Sequence, residues 1–313
     1  MTNEHDPRLA MAAILLGLSG IAPPAQAQDA RADEEASVAR DADRAPARDG
    51  VRAVAHQRVI ALLNPMGLEH RFDLSVRGPI GDQRDLFFDG AHWQAGATSF
   101  VSPVYAIGGG FVEVAPFSFL VLKAEIMGAG VWPIGMDAAG HYGLTGYGDD
   151  VHGQSLPGSE GGSATGVFAG GSATLQGAVG VAEGVRLLVA NELGLTYVAL
   201  GSALFYYSMK HDLVLAREDL VLLNSAFVGV EVRCASDLLF RGGVYDDLRH
   251  VPASGYVGHQ LGPIAMLSWS DPAPSVSGLT VFVRGGGYTH HVIRAGEATV
   301  LGGVALDYDL GGL

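Results

Sequence analysis

The sequence predicts an all-β fold: a single antiparallel transmembrane β-barrel of about 12 strands. Three observations lead there. The chain is 48% hydrophobic, yet past the N-terminus no charge-free apolar run is long enough for a membrane helix. Strand-like runs with period two recur from residue 59 to residue 310. The connections between them alternate short and long.

The N-terminus comes first. Arg8 precedes an apolar stretch from Leu9 to Ile21, then Pro23, Pro24 and the small-x-small triplet Ala25-Gln26-Ala27. This is the layout of a secretory signal peptide, with cleavage expected after Ala27. Glu4 and Asp6 dilute its basic start. From Gln28 to Gln57 the chain is Ala, Arg, Asp and Glu with almost no large apolar residue. Such a composition buries too little surface to order itself and reads as a flexible periplasmic segment, or as an Ala-rich solvated helix. The expected division is residues 1–27 signal peptide, 28–57 flexible segment and 58–313 barrel.

The clearest strand is Phe119–Trp132. Its even positions, Leu120, Leu122, Ala124, Ile126, Gly128, Gly130 and Trp132, are apolar or glycine, while Lys123 and Glu125 are odd. Alternate side chains leave a strand on opposite faces. One face therefore suits lipid and the other a lumen. Its length matches a tilted membrane-crossing strand of ~9–11 residues rather than a soluble strand of ~5–6. The same pattern marks Val167–Val179, Val185–Tyr197, Leu220–Val232, Leu279–Gly287 and Ala298–Leu310. Asn191 and Asn224 are polar exceptions in two apolar rows. Weaker runs lie at Val59–Leu63, Arg71–Arg77, Ala91–Val101, Gly109–Ala115, Leu238–Leu248 and Tyr256–Trp269.

Tight links are expected at Pro79–Asp82, Ala115–Ser118 and Gly180–Gly184, and long outer loops at Pro133–Gly162 and Gly201–Glu218. If both ends of the barrel sequence are periplasmic, the strand count is even. Counting Val59–Leu63 as a strand puts every short turn at one end and every long loop at the other.

A signal peptide, amphipathic strands, short turns opposite long loops and a C-terminal strand together resemble Gram-negative outer-membrane β-barrel proteins. The stretch Asn64–His70 and the hairpin Phe111–Trp132 look similar to uncharacterised barrels of myxobacteria-like species. The resemblance implies partners in outer-membrane lipid and in the export and barrel-insertion machinery. It departs at the C-terminal end, where Leu306–Leu313 lacks the terminal aromatic residue usual in such barrels.

If the apolar rows meet lipid, then Arg71, Asp73, Glu113, Lys123, Glu125, Arg186, Glu192, Glu231, Arg233, Arg241 and Arg284 face the lumen. Their mixed signs fit a bracing network of paired charges. They also fit a narrow passive channel for small solutes with a charge-lined bore. Glu113, across the tight turn from Lys123, is the expected partner of the Lys123/Glu125 pair. Leu122→Arg on the lipid row is expected to harm assembly more than Lys123→Leu.

No site for chemistry stands out. Asp149, Asp150 and His152 in the long loop, and Asp246, Asp247 and His250 near the outer end of a strand, resemble the acid/His pairs of outer-membrane proteases only in residue type. His290 and His291 are adjacent and would point to opposite faces. The His-x-Ser-Asn-Gly stretch of outer-membrane phospholipases is missing. Gly108–Gly110 and Gly285–Gly287 sit inside alternating strands, where Gly permits curvature or close packing rather than phosphate binding. No cofactor or metal is expected. Cys234, the single cysteine, has no partner for an intramolecular disulfide. A net charge of -14 argues against nucleic acid.

Overall fold

The computed structural model describes residues 50–64, 66–132, 146–147, 163–201, 204–208, 210–291 and 293–313. The expected signal peptide, residues 28–49 and the Asp149/Asp150/His152 cluster lie outside the described residues. The strands are β1 Arg52–Leu63, β2 Gly67–Pro79, β3 His92–Val101, β4 Tyr105–Phe117, β5 Leu120–Val131, β6 Ala164–Ala182 and β7 Val185–Leu200. They continue with β8 Phe205–Ser208, β9 Leu213–Ala216, β10 Glu218–Arg233, β11 Leu238–Val251, β12 Tyr256–Ala273, β13 Val276–His290 and β14 Ala298–Gly312.

All except β8 and β9 close into one antiparallel barrel of 12 strands, β1 pairing with β14. Every run expected from alternation is one of these strands. One boundary is corrected. β1 begins at Arg52, so residues 52–57 belong to the barrel rather than to the flexible segment. His56, Arg58 and Ile60 are buried inside it, while Val59 and Leu63 are exposed outside. A strand whose inner face is charged and whose outer face is built partly from Ala and Gln shows no apolar row.

The alternation sets the two faces. Val112, Ile126, Leu193, Val228, Val283 and Val300 are exposed on the outside. Met127, Phe168, Leu188, Phe227, Tyr245 and Phe282 are buried inside. The two polar exceptions meet on the outer face. Asn224 Nδ2 donates to Asn191 Oδ1 at 3.1 Å and to the Glu192 carbonyl at 3.3 Å. Each amide so paired costs less in an apolar setting than it would alone.

The glycines expected to permit close packing do so at two places. A Cβ on Gly109 would overlap the backbone of β5 at Ile126 and Met127. One on Gly286 would strike the Tyr245 hydroxyl inside the barrel.

The connections segregate by length only in part. The links 118–119, 183–184, 234–237 and 274–275 are short at the end that holds both ends of the barrel sequence, but at the other end 64–66, 102–104 and 252–255 are equally short, beside the long connections from β5 to β6 and from β7 to β10. One link differs from expectation: β2 and β3 are joined by residues 80–91, longer than the Pro79–Asp82 turn. Another differs in kind. Residues 204–217 are not a polar external loop. They form the β8–β9 hairpin, whose Tyr206, Leu213, Val214 and Leu215 are fully buried. The apolar content of that segment favours its burial, and polar contacts from the barrel wall hold its turn in place.

Candidate functional site: the barrel lumen and its inward hairpin

The lumen has three levels. At the termini end is an open cavity of about 470 Å³, lined among others by His56, Ser75, Arg77, His92, Gln94 and Asp307. His56 Nδ1 lies 2.9 Å from Asp307 Oδ1, and Arg52 is paired with Asp309. His92 Nε2 lies 2.9 Å from Glu113 Oε1.

Above this, charged pairs and apolar side chains fill the bore. Arg71 Nε donates to Asp73 Oδ1 at 3.1 Å, and Thr98 donates to the same oxygen. Lys123 Nζ is 2.8 Å from Glu125 Oε2 and lies over the Phe111 ring. Glu231 accepts from Arg186 Nε at 2.6 Å and from Arg241 Nε at 2.7 Å. Arg284 Nη2 is 2.8 Å from Asp247 Oδ2, donates to Gln260 Oε1 at 3.0 Å and stacks on Tyr245. Between these pairs Ile60, Leu188, Phe227, Tyr245, Met266 and Phe282 form an apolar cluster.

The third level is the hairpin. Lys210 reaches across the bore to Glu69, Nζ to Oε2 at 3.0 Å, and lies 4.0 Å over the Phe100 ring. Burial pushes its ammonium well below the usual lysine range. Asp212 occupies the hairpin turn at φ 50°, a left-handed conformation that Asp tolerates better than most residues. It accepts from Tyr207, from Tyr288 Oη at 2.7 Å and from Arg294 Nε at 3.2 Å. Burial alone would raise its carboxyl, but His291, Arg294 and Arg249 around it hold it below the ordinary range. His291 takes its backbone bonds from Ile293 and Arg294 at Nδ1 and donates from Nε2 to the Asp212 carbonyl at 2.7 Å. Arg249 Nη1 donates to the His211 carbonyl at 3.1 Å.

The hairpin carries a pH dependence. His211 is fully buried, and that burial, with Lys210 and Arg249 nearby, drives its imidazole down to about 3 from 6.5. Between those values a released loop binds a proton that the seated loop does not, so seating weakens as pH falls below 6.5. His291 acts in the same sense, since burial also holds its imidazole down, while Asp212 adds its own loss only as pH falls below the ordinary carboxylate value of 3.8. Acidification from neutral pH to about 4.5 is therefore expected to increase amide hydrogen exchange at Leu213 and Leu215, corrected for intrinsic rate. Protection that stays constant over that range would contradict the seating scheme.

Of the charges expected in the lumen, Arg71, Asp73, Glu192, Glu231, Arg241 and Arg284 are buried inside it, and Glu113, Lys123, Glu125 and Arg186 are half-buried there. Arg233 is the exception. It is the last residue of β10 and exposed at the rim. Glu113 pairs with His92 and stands directly opposite Lys123 in the β4–β5 register, while Lys123 also meets its own i+2 neighbour Glu125.

The acidic cluster on β11 does not exist as a site. Asp247 faces in and bonds Ser225 Oγ at 2.9 Å, whereas Asp246 faces out to His259 at 3.2 Å. His290 is exposed and His291 buried. Sequence reasoning missed Arg58, Glu69 and Arg249, and read Asp247 as part of an outer-end cluster rather than as a lumen charge. Glu69 sits in phase with Arg71 and Asp73, and Asp247 and Arg249 with Arg241, so alternation carried the signal. Lys210, Asp212 and Arg294 carried none, because no strand pattern places them.

No family model and no curated protein sequence matches the chain. Among solved structures, the barrel is similar to the β domain of the Bordetella autotransporter BrkA, at 10% identity and TM-score 0.46, covering 83% of this chain and 99% of that one. It is similar to the translocator domain of the autotransporter NalP from Neisseria meningitidis, at 12% identity and TM-score 0.42, covering 91% and 96%. It is also similar to the NanC porin, at 10% identity and TM-score 0.37, covering 82% and 100%.

Proposed function

We propose that this chain is an exported outer-membrane barrel with a sealed lumen, serving as a structural or surface-interaction barrel rather than as an open passive channel. The observation that carries the reading is the seated hairpin. Tyr206, His211, Leu213 and Leu215 are buried within the loop end of the bore. Below it, Arg58, Arg241 and Tyr245 are fully buried where an open channel would hold water. Oppositely charged neighbours along the bore suit bracing, since each pair neutralises itself. The outer face supports the membrane placement, because a closed barrel leaves no unpaired strand edge along most of its height. Export through a signal peptide cut after Ala27, insertion by the barrel-assembly machinery and kinship with myxobacteria-like barrels belong to the same proposal. Small solutes reach the cavity at the termini end but not beyond it.

The test is made on protein from the bacterial envelope. The chain is expected to stay in the pellet after carbonate extraction, to have a mass beginning at Gln28, and to give no single-channel steps in planar bilayers. Steady conductance from folded protein at neutral pH would replace the sealed barrel with the narrow charge-lined channel. Release by carbonate would overturn the membrane placement itself.

A further inference from the structure

The barrel has an uneven lower rim. β6 pairs with β5 only as far as Leu175 opposite Leu120, and Gln176 N donates to the Phe119 carbonyl at 3.0 Å. β6 then continues to Ala182, paired on its other side with β7. Residues 177–182 therefore have an open edge in the column that β5 vacates. Hydrogen bonds from successive strand residues alternate in side. Since Gln176 N points toward β5, the N–H and C=O groups of Ala178 and Gly180 point to the open edge. The segment Gln176–Ala182 carries no charge, and Val179 and Val181 are 64% and 61% exposed. Leu86 and Phe87 are exposed above it, where Ser118 N donates to the Phe87 carbonyl at 2.9 Å. Edges are ordinarily blunted by charge, Pro or a cover. Among the described residues this one has no charge, Pro or cover, and its bulge, between Gly180 and Ala182, lies past both edge donors.

We propose that the β6 edge at Ala178–Ala182 docks an extended, uncharged strand of a partner polypeptide on the termini side of the membrane, by strand addition. Three arguments select that occupant. The uncharged outward row from Val167 to Val181 spans 15 residues, which at a rise of about 3.3 Å and a tilt of about 40° is roughly 35 Å, against an apolar band of about 25 Å. The surplus lies at the termini end, where β5 has stopped, and lipid cannot accept from backbone N–H groups. A second copy does not fit either. Two copies in one membrane are related by an axis along its normal, so across a two-fold axis each N–H meets an N–H at its own height. An extended heterologous strand meets both demands, offering alternating donors and acceptors and an apolar side for Val179 and Val181. The exclusion of lipid and of a second copy rests on the membrane placement above, while the edge geometry does not.

The test uses the full mature chain in detergent and a labelled, end-capped heptapeptide of alternating valine and threonine. Binding is followed by fluorescence anisotropy, and amide exchange is read at Ala178 and Gly180. The peptide is expected to bind and to slow exchange at those two amides. Gly180→Pro removes one edge donor without touching the β6–β7 ladder and is expected to weaken binding by about tenfold. Gly180→Ala is expected to bind as the parent does, since a Cβ there meets nothing within 4 Å. Heat-modifiable migration checks that each variant is folded. No binding to the parent chain, or equal binding by folded Gly180→Pro, overturns the proposal. So does a cross-linker at position 179 that joins two copies, reaches residues 28–49 of its own chain, or labels only lipid in membranes. These outcomes are read separately from conductance, which bears on the sealed lumen, and from carbonate extraction, which bears on the membrane placement.

Discussion

Glu231→Ala is expected to give the largest loss of stability of any single lumen substitution, about 3–5 kcal/mol. The carboxylate is 4% exposed and accepts from two arginines on opposite neighbours, Arg186 on β7 and Arg241 on β11. Arg241 is 1% exposed, so its guanidinium would lose the Glu231 carboxylate at a depth where surface hydration does not replace it. Arg186 is 32% exposed and would recover hydration, so most of the cost falls on Arg241. Urea unfolding of the folded barrel in detergent measures it. The double replacement Glu231→Met with Arg241→Met removes both buried charges and is expected to return most of the lost stability, because a buried pair is often worth little more than a well-packed apolar pair. If Glu231→Ala unfolds at the parent urea concentration, the bore is wetter than its packing implies and the sealed-lumen reading fails with it.

Ile126→Arg is expected to block assembly almost completely, while Lys123→Leu leaves a folded barrel. Ile126 lies at the middle of β5 and is 63% exposed on the outer face. An arginine there sits at mid-depth in lipid, at a cost of about 2–4 kcal/mol. Leu122 is on the same face but only two residues from the start of β5, nearer the rim, so Leu122→Arg is milder. Lys123→Leu leaves Glu125 without its 2.8 Å partner, but both groups are partly hydrated in the lumen. The readout is the fraction of protein migrating as the heat-modifiable, folded species. If Lys123→Leu loses as much of it as Ile126→Arg, the faces of β5 are reversed or the Lys123/Glu125 pair is worth far more than an ordinary half-buried pair.

The sequence by itself determined the strand set of the barrel and the direction each strand faces. These are local matters. Period two is a property of the extended backbone, and a strand that meets lipid on one face shows it within a dozen residues. The same alternation carries most of the expected lumen charges inside the bore, whereas Arg233, at the last position of β10, is exposed at the rim. The tertiary structure alone decided three things. It decided that β1 starts at Arg52, since His56 gains its meaning from Asp307, 251 residues away. It decided which charges pair, because Glu231 selects Arg186 and Arg241 through the β7–β10–β11 register rather than through spacing in the chain. And it decided that residues 204–217 turn inward, since the pull on Lys210 and Asp212 comes from Glu69, Tyr288 and Arg294, which closure of the barrel gathers at one end. A seal built from contacts so distant in sequence leaves no periodic trace in the segment that forms it.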